Sequence, residues 1–143
     1  MIHNFLSIAI KLPTFTVMET LQISLNYDQL NSLSNIENLL NDLFRPDTDN
    51  YHKLAYELQR EFRQGGSPDV MRIHFDRIKF DENTNKGSLR IVLDIDFTFG
   101  CEDMRVEKQD QTSEWTFAID KPAKTITLYS SPYAESRSTA DEF

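Results

Sequence analysis

Met71-Arg-Ile-His-Phe-Asp-Arg-Ile-Lys-Phe80 and, after a polar turn, Leu89-Arg-Ile-Val-Leu-Asp-Ile-Asp-Phe-Thr-Phe99 alternate apolar with polar residues, and the first stretch changes phase once. Met71, Ile73 and Phe75 are apolar at odd positions, whereas Ile78 and Phe80 continue the apolar side at even ones. A side-chain period of two shifts phase only when a residue is inserted, so the break at Asp76-Arg77 predicts a β-bulge in one strand of a hairpin. Asn83-Thr-Asn-Lys-Gly87 supplies the turn. Aligning apolar side chains then pairs Phe80 with Leu89, Ile78 with Ile91, Phe75 with Leu93, Ile73 with Ile95 and Met71 with Phe97. On the opposite face, the same register sets Arg72 across from Asp96 and His74 across from Asp94, with Arg90 and Lys79 further along.

Outward from this hairpin the pattern continues as strands over about 103–108, 113–120 and 124–130, the last two joined by Lys121-Pro-Ala-Lys124. Trp115, Phe117 and Ile119 face Leu128 and Ile126 across that turn. Sequential short strands favour an antiparallel meander. Towards the N-terminus, Leu6, Ile8, Ile10 and Leu12, and then Phe15, Val17, Leu21, Ile23 and Leu25, read as a strand pair. Between these regions Leu30, Leu33, Ile36, Leu40 and Leu43 recur at helical spacing, with Ser34 and Glu37 as a capping box or Asp28 as an earlier start. Pro46 ends that helix. Asp47-Thr-Asp-Asn opens a second, whose stripe is Tyr51, Leu54, Ala55, Leu58 and Phe62, and Gly65-Gly66 stops it.

The expected fold class is therefore α+β: two amphipathic helices packed on one face of a mostly antiparallel, meander-like β-sheet with an N-terminal strand pair. The element order is similar in outline to cystatin-like and NTF2-like folds. Residues 1–131 form the expected domain and 132–143 a polar tail. Met18 is an alternative start that would make residues 1–17 an appendage.

At 143 residues the chain is long enough for one hydrophobic core without metals or disulfides. Ten Phe and five Tyr supply bulky core side chains. The single cysteine, Cys101, excludes an internal disulfide and fits a reducing compartment, so the cytoplasm is the expected location. No signal peptide is expected, because the start lacks a cationic opening and its apolar run is broken by Ser7 and Lys11. With 23 carboxylates against 15 Lys and Arg, the net charge of −8 repels nucleic acid and anionic membranes and attracts a basic protein partner.

Motifs with chemistry are sparse. Ile91-Val-Leu-Asp94-Ile-Asp96-Phe-Thr98, an apolar run leading into Asp-x-Asp-x-Thr, is similar to the opening motif of haloacid dehalogenase-like phosphatases. That resemblance implies a nucleophile at Asp94 and an acid/base at Asp96. The family requires a parallel α/β sheet with the motif at a strand's C-terminal end, whereas these carboxylates fall mid-strand in a meander, so they are assigned to strand composition. Cys101 lies beside the acidic loop Glu102-Asp103, which opposes thiolate formation. His3, His52 and His74 lack metal-ligand spacing, and four glycines form neither a Walker loop nor a dinucleotide fingerprint. No cofactor or metal is expected.

Two functional readings follow. The first is a non-catalytic acidic protein-binding module, of the inhibitor, immunity or adaptor kind, acting through an exposed sheet face (Arg72, His74, Asp94, Asp96, Arg90) and the acidic loop Glu102-Asp103. The alternative is a small-ligand-binding protein or enzyme with those side chains lining a polar pocket, His74 serving as the base beside a carboxylate. A homodimer joined sheet to sheet is the third arrangement such a face allows.

Overall fold

Apolar residues at every second position need a helix layer to cover them, and these helices carry the matching stripes. The structure, a computed structural model, describes residues 19–63, 66–100 and 104–130. The strand expected around Leu6–Leu12, Met18, Cys101, the acidic pair Glu102-Asp103 and the tail 132–143 lie outside the described residues.

Strand β1 (Glu19–Ser24) leads into a short helix α1 (Tyr27–Leu30), a 3-10 turn (Leu33–Asn35), helix α2 (Ile36–Leu43) and helix α3 (Asp49–Glu61). Four strands follow: β2 (Ser67–Asp81), β3 (Lys86–Phe99), β4 (Met104–Asp120) and β5 (Thr125–Ser130). All five form one antiparallel sheet in the order β1-β5-β4-β3-β2. The α+β class and the meander stand as expected.

The helical segment differs in detail. The capping box sits at Asn26 and Gln29, which bond reciprocally at 2.8 Å, and not at Ser34 and Glu37. Ser34 falls inside the 3-10 turn, and α2 starts at Asn35 without a side-chain cap. The single expected helix is thus three short pieces. Helix α3 begins as the sequence predicts, with Thr48 Oγ1 accepting from the Tyr51 amide at 3.2 Å.

Leu39, Leu40 and Leu43 of α2 and Leu54 and Leu58 of α3 share one buried cluster with Leu89, Ile91, Leu93 and Ile95 of β3 and Trp115, Phe117 and Ile119 of β4. Burial of each such side chain contributes about 1.5–3 kcal/mol, so this cluster is the principal source of stability. Phe44 meets Phe75 edge to face at 5.5 Å between centroids, tying the end of α2 to β2. One polar thread runs through the core: the Trp115 indole N–H donates to Ser113 Oγ (2.8 Å), and the Ser113 hydroxyl donates to Glu61 Oε1 at the end of α3 (2.6 Å).

The β4–β5 register is as expected, with Phe117 on Leu128 and Ile119 on Ile126. The β2–β3 register is not. Phe80 pairs with Gly87, Phe75 with Ile91 and Ile73 with Leu93, two residues away from the expected alignment. Asn85, at φ 60°, closes a tighter turn in which Asp81 already pairs with Lys86, and its amide donates to the Asp81 carbonyl at 2.7 Å. A slip of two preserves the faces of the residues from Ile73 to Phe80, although their partners change; Met71, expected on the apolar face opposite Phe97, is instead exposed, and Val70 packs against the core in its place.

The expected bulge is present. Asp76 pairs with Arg90 and Lys79 with Ser88, leaving Arg77 and Ile78 against Leu89 alone. Two further irregularities were not expected. Met71 is extra between Val70 and Arg72, and β4 carries an extra residue opposite Asp94, so the strands expected at 103–108 and 113–120 are one bulged strand. Among the described residues four other than glycine have positive φ: Arg77, Asn85, Asp110 and Lys124. Each lies at a bulge or a tight turn, the places where a right-handed chain must reverse its local hand.

Candidate functional site

The face of the sheet turned away from the core carries a polar array built by strand alternation. Reading across strands, its rows are Asp69, Asp96 and Glu107; Arg72 and Asp94; His74, Val92 and Thr112; Asp76, Arg90 and Glu114; and Lys79, Ser88 and Thr116.

The observed register changes the neighbours of the candidate residues. Arg72 faces Asp94, with Nη2 and Oδ2 2.9 Å apart, and not Asp96. His74 faces Val92 and not Asp94. It is exposed and has no ion pair among the described residues, so the expected pairing with Asp94 is not formed; the carboxylate whose charge it feels is Asp76, two residues along β2. Asp94 also accepts from the Asp110 amide at 2.9 Å, an N–H that the β4 bulge frees from the ladder. Asp96, 7% exposed, is held by Arg105. Arg90 forks onto Asp76 through Nε (2.8 Å) and Nη2 (2.7 Å).

These pairings shift ionisation in defined directions. Asp76 lies below the usual carboxylate range, chiefly through its hydrogen bonds from Arg90, with burial opposing. Arg90 is raised by the same bonds, and Arg105 by its hydrogen bond to Asp96. The guanidinium of Arg105 also feels Glu107 and Asp69, so one cation serves three carboxylates.

The face is therefore divided by charge. At one end Asp69, Asp96 and Glu107 stand directly opposite one another across β2, β3 and β4. At the other end Arg77, Lys79 and Arg90 line a hollow of about 550 Å3 that Ser88, Glu114 and Thr116 also border. Reading the sequence missed Asp69, Asp76, Arg105 and Glu107. The alternation of Arg105 and Glu107 about Val106 carried the signal for the last two, but their partners depended on register.

Asp94 and Asp96 lie mid-strand in β3 with antiparallel neighbours on both sides, and arginines hold both carboxylates. The geometry of the phosphatase motif is therefore not reproduced. Among the described residues no group of three or more His, Cys, Asp or Glu side chains is placed to hold a metal ion, and no helix is long and apolar enough to cross a membrane. Compared with protein-family models, with curated proteins and with solved structures, the chain finds no match in any of the three, and the functional argument rests on its own geometry.

Proposed function

We propose that this chain is a non-catalytic protein-binding module, of the inhibitor, immunity or adaptor kind, that engages a basic partner through the open face of its sheet. The observation that carries this reading is the row Asp69, Asp96 and Glu107, three carboxylates directly paired across neighbouring strands with Arg105 as their shared cation. Like charges in direct cross-strand register are destabilising, and Arg105 neutralises only one of the three. A lysine or arginine brought by a partner relieves that excess. The overall charge of −8 speeds the encounter by long-range attraction.

The test is affinity capture from the native source with mass-spectrometric identification, comparing the wild type with Asp69→Asn/Glu107→Gln at low and high salt. Both side chains are exposed and outside the core, so lost capture at an unchanged Tm reports the surface itself. The expected result is a basic partner whose association slows with salt and with the double substitution. Capture that is indifferent to both overturns the proposal.

A further inference from the structure

The opposite end of the same face carries charges that the protein-binding proposal leaves unused. Arg72, Arg90 and Arg105 each hold an aspartate. Arg77 and Lys79 are exposed and, among the described residues, hold no carboxylate in a direct ion pair, although the Arg77 charge adds to that of Arg90 in lowering Asp76. Both border the hollow of about 550 Å3, in a chain whose net charge is otherwise strongly negative. Arg77 is also the bulge residue, at φ 52°, a conformation that favours glycine. The bulge that imposes this φ also sets Arg77 at the border of the hollow.

From these observations we infer that the hollow between the β2 bulge and β4 binds a small phosphate monoester carrying hydroxyl groups, a sugar phosphate in chemical class. Arg77 and Lys79 supply donors for the phosphate: a planar fork and a point charge, each suited to anionic oxygens. Arg90 is already fixed by Asp76 and forms a rigid wall. Glu114 accepts hydrogen bonds only, so it repels a bare anion but receives a hydroxyl from the ligand's other end. Ser88 and Thr116 add side-chain hydroxyls to the same border.

The experiment is an NMR amide-shift titration of the whole chain in phosphate-free, low-salt buffer with ribose phosphate, ribose and inorganic phosphate as separate probes. Ribose phosphate is expected to saturate at millimolar concentration and to shift the amides of Arg77, Lys79 and Ser88. Ribose alone is expected to shift none, and inorganic phosphate to bind at least about tenfold more weakly. Arg77→Gly, which suits the positive φ, and Lys79→Gln are each expected to weaken binding by about tenfold, the scale of one charge-assisted hydrogen bond. Lys121→Gln, the same charge change in the β4–β5 turn, is expected to leave binding intact. The proposal is overturned by no saturable shift with ribose phosphate, by equal binding of inorganic phosphate (an adventitious ion only), or by equal losses in all three variants.

Discussion

Replacing Ser113 by alanine removes one oxygen from the middle of the core, and the consequence can be worked out from its two hydrogen bonds. Ser113 is fully buried; its Oγ accepts from the Trp115 indole at 2.8 Å and donates to Glu61 at 2.6 Å. Trp115 is only 2% exposed, so water cannot replace the lost acceptor. An orphaned buried donor costs about 1–3 kcal/mol, and a hydrogen bond to a charged group contributes about 1.5–3 kcal/mol. Glu61 is half-buried and regains water, so the two losses do not add in full. The expected destabilisation is about 2–4 kcal/mol. For a domain of this length that corresponds to a Tm lower by roughly 10 °C. Urea unfolding followed by far-UV circular dichroism should show a lower midpoint and an unchanged slope. The decisive comparison is Ser113→Ala in a Trp115→Phe background, where no indole N–H is left to orphan; there the cost should fall by about 1–2 kcal/mol. An equal cost in both backgrounds, or a loss in the wild-type background under about 0.5 kcal/mol, refutes this account of the core thread.

Gly87→Ala should destabilise the fold by about 2–3 kcal/mol, because a Cβ there runs into the Lys79 carbonyl oxygen and the Phe117 ring; urea unfolding measures it, and a loss below about 0.5 kcal/mol contradicts the close approach. Thr48→Ala removes the cap of α3 and should cost about 1 kcal/mol in the same assay, whereas Thr48→Asn should retain most of the stability. Acidification tests the Arg90 fork. Because the folded-state pKa of Asp76 is lowered, its stabilisation is complete above the unfolded carboxylate value and disappears as pH falls through the folded one. The stability gap between wild type and Arg90→Met should therefore narrow on acidification through and below the carboxylate range, and a gap that does not vary with pH counts against the pair.

Side-chain parity made the sheet legible: the faces of β2 from Ile73 onward, and of β3, β4 and β5, follow directly from alternating residues, and the phase break located the Arg77 bulge. Register was beyond reach for the same reason. A shift of two residues preserves every face, so only the turn decides, and the turn was decided by Asn85 adopting the left-handed conformation. The Met71 bulge hid behind an apolar residue. The β4 bulge lay within Gln109-Asp-Gln-Thr112, an all-polar stretch that interrupts the hydrophobic pattern and reads as a loop. The candidate site inherited this limit. Arg72, Arg90, Asp94 and Asp96 were correctly assigned to one face, but their pairings, and the part played by Arg105, needed the true register.

The bulges also bear on the outer edge of β2. Among the described residues β2 ends the strand order, with no further strand paired to its outer side, and at fifteen residues it is long enough to invite a second chain to zip alongside. The irregularities at Met71 and at Arg77-Ile78 divide it, and the longest regular run between them is the five residues Arg72 to Asp76. That is shorter than the six- or seven-residue segments typical of fibril-forming zippers, and it is charged at both ends. Kinks that fit charged side chains to a surface thus also protect the protein from self-templating. Straightening β2, by deleting either Met71 or Arg77, would restore a longer template and with it the route to aggregation.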